Sequence, residues 1–137
     1  MRQQNIIVNG ILVKDGRVML AKRALTKKIA PGKYHLPGGH VEFGEDPDMA
    51  IKREFQEEFD LDPEVSTIIR TFSYTNDDLH TVGITFRLVL PIIPDEIKYD
   101  VNDNECLVWA DERDMQKYLS PDDHDYITLS NFFKSWI

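Results

Sequence analysis

Cysteine is almost absent from this chain. Cys106 is the only one in 137 residues, so no intramolecular disulfide can form, and a reducing, cytoplasmic setting is expected. Its neighbours Leu107, Val108 and Trp109 mark it as a buried structural thiol on a strand rather than a reactive nucleophile. Basic residues are scarce too: 16 Lys and Arg stand against 24 Asp and Glu, a net charge of −8. Without a basic stripe the chain has nothing to neutralise a phosphate backbone, which excludes general binding to nucleic-acid polymers. Long apolar runs are missing as well. The N-terminal run at residues 6–13 is broken by Asn9 and Gly10 and is far too short to span a membrane, and nothing resembles a signal or transit peptide. With no linker, repeat or low-complexity tract, one domain over residues 1–137 is expected, and 42% hydrophobic content is enough for a single core.

What is present reads as strands with helices between and after them. Residues 6–13 and 18–23 are apolar, β-branched runs around Asp15-Gly16, a strong hairpin signal. Residues 24–33 are polar and basic with Pro31-Gly32 and predict a mobile loop. Tyr34, His35 and Leu36 lead into Pro37-Gly38-Gly39, and an extended strand is expected to resume at His40, Val41 and Glu42. Asp46 is a good N-cap and Pro47 suits the first helical position, while Ile51, Phe55 and Phe59 recur every four residues as a core stripe. Residues 65–74 and 81–90 predict a second hairpin around Asn76, Asp77 and Asp78. Residues 91–104 form an acidic loop, and residues 106–110 a further strand. Asp111 and Asp114 cap a short helix to Leu119, and Leu129, Phe132, Phe133, Trp136 and Ile137 mark an amphipathic C-terminal helix. This order implies α/β layers around a mixed sheet.

The helix after Pro47 carries an acidic face. At about 100° per residue, Glu57 and Glu58 lie within about 60° of Glu54 on either side, roughly one turn along the axis. Like charges this close repel unless something positive sits among them, and oxygen-only ligands suit a hard divalent cation such as Mg²⁺ or Mn²⁺. The plainer alternative is a solvated face with Arg53 and Glu57 as an i,i+4 ion pair.

The surrounding spacing favours the metal. From Gly39, five residues lead to Glu45, and seven more lead to Arg53-Glu54-Phe55, followed by Glu57-Glu58 and Leu61. This pattern resembles the signature of the Nudix (MutT-like) hydrolases, and its chance occurrence is on the order of 10⁻⁸ per window at average composition. Asp60 alone departs, standing where the family has glycine after the helix; Asp tolerates a left-handed backbone better than most residues. The resemblance implies an α/β/α sandwich around a mixed sheet and Mg²⁺-dependent hydrolysis of a diphosphate linkage in a small-molecule nucleotide. The expected reaction converts a nucleoside triphosphate to monophosphate and pyrophosphate. Glu57 and Glu58 are then the principal metal ligands, Glu54 a third ligand or the general base, and a carbonyl of Gly38 or Gly39 completes the set. Arg53 pairs with Glu45 to orient the carboxylates.

Family members often use one more acid from outside this box, for which Glu105 is the candidate and Asp103 and Asp77 are rivals. Arg23 and His40 are candidate substrate contacts, and Lys27, Lys28 and Lys33 could assist from the loop. His35, His80 and His124 have no metal-type spacing and read as structural or exposed. Tyr34 and Phe72 could stack on a base or belong to the core. No Pro or Tyr occurs at residues 75–78, where ADP-ribose and dinucleoside-polyphosphate members tend to carry one. Two alternatives stay open: a non-catalytic nucleotide-sensing domain, which would be expected to lose the acids, and a hydrolase or isomerase of a non-nucleotide diphosphate. Both monomer and homodimer are compatible with the sequence.

Overall fold

Asp15 and Gly16 both have positive φ, 51° and 76°, the twist that joins two strands through a two-residue turn. They connect β1 (Gln3–Lys14) to β2 (Arg17–Arg23), as the Asp-Gly pair predicts. The computed structural model describes residues 1–135; Trp136 and Ile137, expected in the last helix, lie outside the described residues. After β2 come β3 (Tyr34–His35), β4 (Gly38–His40), α1 (Pro47–Phe59), β5 (Glu64–Asn76), β6 (Leu79–Val89) and β7 (Asn104–Ala110). A 3₁₀ turn at Glu112–Asp114, α2 (Met115–Tyr118) and α3 (His124–Ser135) follow.

The strands form one mixed sheet in the order β3-β2-β1-β6-β5, with β7 on β2 and β4 on β1. β1 and β6 run parallel over ten residue pairs, from Gln3 with Leu79 to Leu12 with Leu88, and the other pairings are antiparallel. Alternation along β1 sends Val8 and Leu12 to one face and Ile11 to the other. On the first face they meet Ile51, Phe55 and Phe59 of α1; on the second, Ile11 joins Leu129 and Phe132 of α3 and Met115 of α2. The result is the expected α/β/α sandwich.

Two expectations need correction. The strand expected at residues 40–42 is β4, which holds both glycines and ends at His40. Its pairs are Val8 with Gly39 and Asn9 with Gly38, and a Cβ on Gly38 would land on the backbone of Val8 and Asn9, so only glycine can pair this closely. The loop at residues 24–33 is irregular but tied down. Arg23 N donates to Lys33 O, Gly32 N to Arg23 O, and Arg23 Nε to Ile29 O.

β1 changes partners along its length. Residues 7–9 pair with β4, and residues 13 and 14 pair with β2. At the split Gly10 N donates to Pro37 O, and a cleft of about 570 Å³ opens over Val8, Asn9, Leu36, Gly38 and Gly39.

Candidate active site

α1 is aimed by its ends. Asp46 has extended backbone at the N-cap, Pro47 opens the helix, and Asp60 closes it at φ 55° and ψ 41°, its N–H bonded to Gln56 O. With Ile51, Phe55 and Phe59 fixed in the core, Arg53, Glu54, Glu57 and Glu58 are left toward β4 and solvent.

Arg53 organises this face. Nε and Nη2 grip the two oxygens of Glu45 at 2.7 and 3.0 Å, Nη1 donates to Glu54 Oε1 at 3.1 Å and Glu57 Oε2 at 3.2 Å, and Nη2 also reaches His40 O at 3.0 Å. All five N–H groups of the guanidinium are used, which leaves none for a substrate. Glu45 is held further by Glu42 N, and its hydrogen bonds from Arg53 keep its pKa below the usual carboxylate range.

Glu54 lies against β4. A Cβ on Gly39 would stand 2.6 Å from Glu54 Oε2, so the bare glycine makes room for this carboxylate. Its side chain is 15% exposed; burial raises its pKa, with Arg53 pulling the other way. Glu58 is the more telling group. Its Oε2 is shut off from water with no hydrogen-bond partner, and burial, reinforced by the charges of Glu54, Asp103 and Glu57, pushes its pKa up to about 8. Glu57, at 60% exposure, leans to Arg53 and water. Among the described residues no three acidic, imidazole or thiol side chains close into a ready-made cage. An orphaned carboxylate oxygen, a half-buried second carboxylate and an all-oxygen donor set fit a hard divalent cation, which would relieve the charge that burial penalises.

The other expected residues are dispersed. Glu105 forms an ion pair with Lys22 at 3.1 Å and does not figure among the main charges acting on Glu58, whereas Asp103 does and also binds Lys27 at 2.7 Å. Asp77 sits in the β5–β6 turn with φ 53°. Arg23 lines the cleft and contributes positive potential at Glu58. His40 and Lys33 line it too. Lys28 does not appear along the cleft wall, and His80 is bonded to Gln4 on the surface.

Of the far wall, sequence reasoning named Phe72 as a possible base-stacking residue and missed the rest. Phe72 and Tyr74 of β5 and His124 of α3 form an aromatic group lining the same cleft, together with Asp122, Asp123 and Asp125. Asn9, read as a break in an apolar run, is buried; its Nδ2 donates to Asp125 Oδ1 at 3.2 Å while its Oδ1 accepts from Thr85 at 2.6 Å. A polar residue inside a core strand was the one available clue, because it needs a buried partner.

The comparisons with known proteins agree with this geometry. The family model described as the NUDIX domain matches residues 1–130. The chain is 31% identical over 126 residues to an ADP-ribose pyrophosphatase from Methanocaldococcus jannaschii, covering 83% of this chain and 72% of the relative. To an Escherichia coli 8-oxo-dGTP diphosphatase it is 32% identical over 89 residues, 65% of this chain and 67% of the relative. A MutT protein structure from Methanosarcina mazei shares the fold with TM-score 0.79 at 20% identity, covering 97% of this chain and 92% of that one. Nudix hydrolases in general use divalent metal ions, in keeping with the donor set on α1. With the whole acid box in place on its helix and a family model spanning nearly the full chain, the protein belongs to the Nudix family and is a pyrophosphohydrolase.

Proposed function

We propose that the protein hydrolyses nucleoside triphosphates to monophosphate and pyrophosphate with Mg²⁺ or Mn²⁺, as a single-domain cytoplasmic enzyme. The observation that carries this reading is the orphaned Glu58 oxygen on the helix face of Glu54, whose carboxylate packs on Gly39, a residue of the cleft that Phe72, Tyr74 and His124 also line. The cleft wall also carries charges of both signs. Arg23 and Lys33 line it as cations while Asp122, Asp123 and Asp125 line it as anions, so phosphates are drawn toward the former and repelled from the latter. The base then lies against Phe72, Tyr74 and His124.

Glu57 and Glu58 would hold the cation, with a carbonyl of Gly38 or Gly39. Asp103, rather than Glu105, is the acid from outside the box. The cation supplies charge neutralisation at the diphosphate oxygens and acidifies water. Glu54 is the general base: Arg53 occupies its Oε1, which leaves Oε2 to take the proton of the attacking water. Arg53 positions Glu54 and Glu57 without touching substrate. Arg23 meets a phosphate from β2.

A second reading is hydrolysis of ADP-ribose, favoured by the Methanocaldococcus relative of that name. A screen of nucleoside triphosphates, ADP-ribose and phosphomonoesters with Mg²⁺ separates the two. Triphosphates should give monophosphate and pyrophosphate, activity should vanish with chelator, and Glu58→Gln should lower kcat at least about a hundredfold. Preferred release of orthophosphate from monoesters, or turnover indifferent to chelator, would reject the mechanism.

A further inference from the structure

The aromatic end of the cleft is built to a tighter specification than stacking alone requires. Phe72 is pressed onto β6 at Gly83, where a Cβ would run into its ring. His124, the first residue of α3, lies on that ring at 4.6 Å with 20° between planes, and nearly parallel to Tyr74 at 5.7 Å and 22°. Arg70 sets its rotation. Nη1 reaches His124 Nδ1 and His124 O at 3.3 Å and Thr128 Oγ1 at 3.2 Å, with the guanidinium 5.4 Å over Phe72.

A guanidinium can only donate, so although the two N–H groups of Nη1 are shared among three acceptors, its contact with Nδ1 favours Nδ1 as acceptor and the single ring proton on Nε2. Burial and the Arg70 charge lower the His124 pKa. Nε2 has no hydrogen-bond partner among the described residues, and His124 lines the cleft. The next residue has the opposite polarity. Asp125 accepts from Asn9 Nδ2 at one oxygen and from Leu36 N, at 2.9 Å, at the other, and it lines the same cleft with further lone pairs to offer.

Building on the triphosphate reading, we propose that His124 and Asp125 read the pairing edge of the nucleobase and select keto bases. His124 donates from Nε2 to the carbonyl oxygen while Asp125 accepts from the adjacent ring N–H. Guanine, hypoxanthine, uracil and thymine offer that order. Adenine and cytosine reverse it, setting an amino donor against the His124 N–H and a bare ring nitrogen against a carboxylate. Two mismatched polar pairs in a cleft wall are rejected far more strongly than a missing methyl group. Arg70 is a positioning residue that acts through the tautomer of His124.

The test is kcat/KM for GTP, ITP and UTP against ATP and CTP, in the wild type and in His124→Phe, His124→Gln and Arg70→Met. The wild type should favour the keto set at least about tenfold, mainly through KM. His124→Phe keeps a ring on Phe72 but no donor and should bring the two sets within about threefold. His124→Gln, with an amide N–H near the Nε2 position, should recover part of the preference, and Arg70→Met should lose part of it. Nitrogen-15 NMR on the wild type gives an activity-free reading, with Nδ1 expected to be the unprotonated nitrogen. Equal turnover of ATP and GTP, or a proton found on Nδ1, overturns the base selection and leaves the triphosphate reading standing. Turnover of ADP-ribose with no triphosphate hydrolysed removes that reading, and the proposal with it.

Discussion

Replacing Gly39 by alanine perturbs the hydrolytic centre without altering an acid, and its neighbour Gly38 provides the control. The new methyl on residue 39 would overlap the Glu54 carboxyl group, with Oε2 only 2.6 Å away, far inside ordinary contact distance. The obstacle is the end of a flexible side chain, so Glu54 can rotate away and the fold should lose at most about 1 kcal/mol. Rotation breaks the 3.1 Å bond to Arg53 and moves the proposed base by on the order of 1 Å, enough to lower kcat about a hundredfold. At Gly38 the methyl meets backbone, with Asn9 Cα at 2.6 Å and the Val8 carbonyl carbon at 2.8 Å, and nothing there can rotate. Relief means parting β4 from β1, at on the order of 3 kcal/mol and a fall in Tm of about 10 °C for a domain this size. Thermal melts by circular dichroism and a pyrophosphate-release assay separate the two. If Gly39→Ala keeps activity within threefold of wild type, or if both variants lose stability alike, the role given to the Gly39 gap is wrong.

Arg53→Ala should cost activity about as severely as loss of Glu58, and a steady-state assay in which it behaves like Lys52→Ala would exclude the positioning role. Asp60→Gly should stabilise by a few tenths to about 1 kcal/mol, because residue 60 has φ 55° and its charge opposes the helix dipole; urea titration would expose a net loss if the 2.9 Å bond from Gln56 matters more. For Asp125, burial in the cleft wall raises the folded pKa to about 6 from an unfolded value near 3.9. Between these values the native state binds more protons, so this group's contribution to stability grows as pH falls from about 6 to 4, by on the order of 2 kcal/mol. Asp125→Asn should remove that slope from urea midpoints measured across the range, and an unchanged slope would mean that the carboxyl is not desolvated in solution.

Local signals were legible where chemistry forces one conformation. The Asp15-Gly16 turn, the Ile51–Phe55–Phe59 stripe, the Asp46-Pro47 helix start and the left-handed Asp60 follow from steric rules acting on neighbouring residues, and the acid box follows from its spacing. Short elements held by distant partners were not legible: β4 has three residues, too few for any period, and exists because β1 lies beside it. Asp103 and Glu105 could not be ranked because they stand one residue either side of the start of β7, where a register shift at Lys22 and Arg23 decides which carboxylate nears Glu58. His124 and Asp125 carry no motif, since their meaning depends on Arg70, Phe72 and Asn9 arriving from β5 and β1.

Among the described residues β5 ends the sheet, with β6 as its only strand neighbour, and it supplies Arg70, Phe72 and Tyr74, whereas Glu54, Glu58 and Gly39 hang on α1 and on β4, which is paired to the central strand β1. Under the roles proposed above, base selection, with its readers on α3 positioned from β5, and bond cleavage are carried by different pieces of the chain. On that proposal, substitutions along the outer strand would retune which nucleotide enters while leaving the hydrolytic apparatus intact, so one scaffold could serve several specificities.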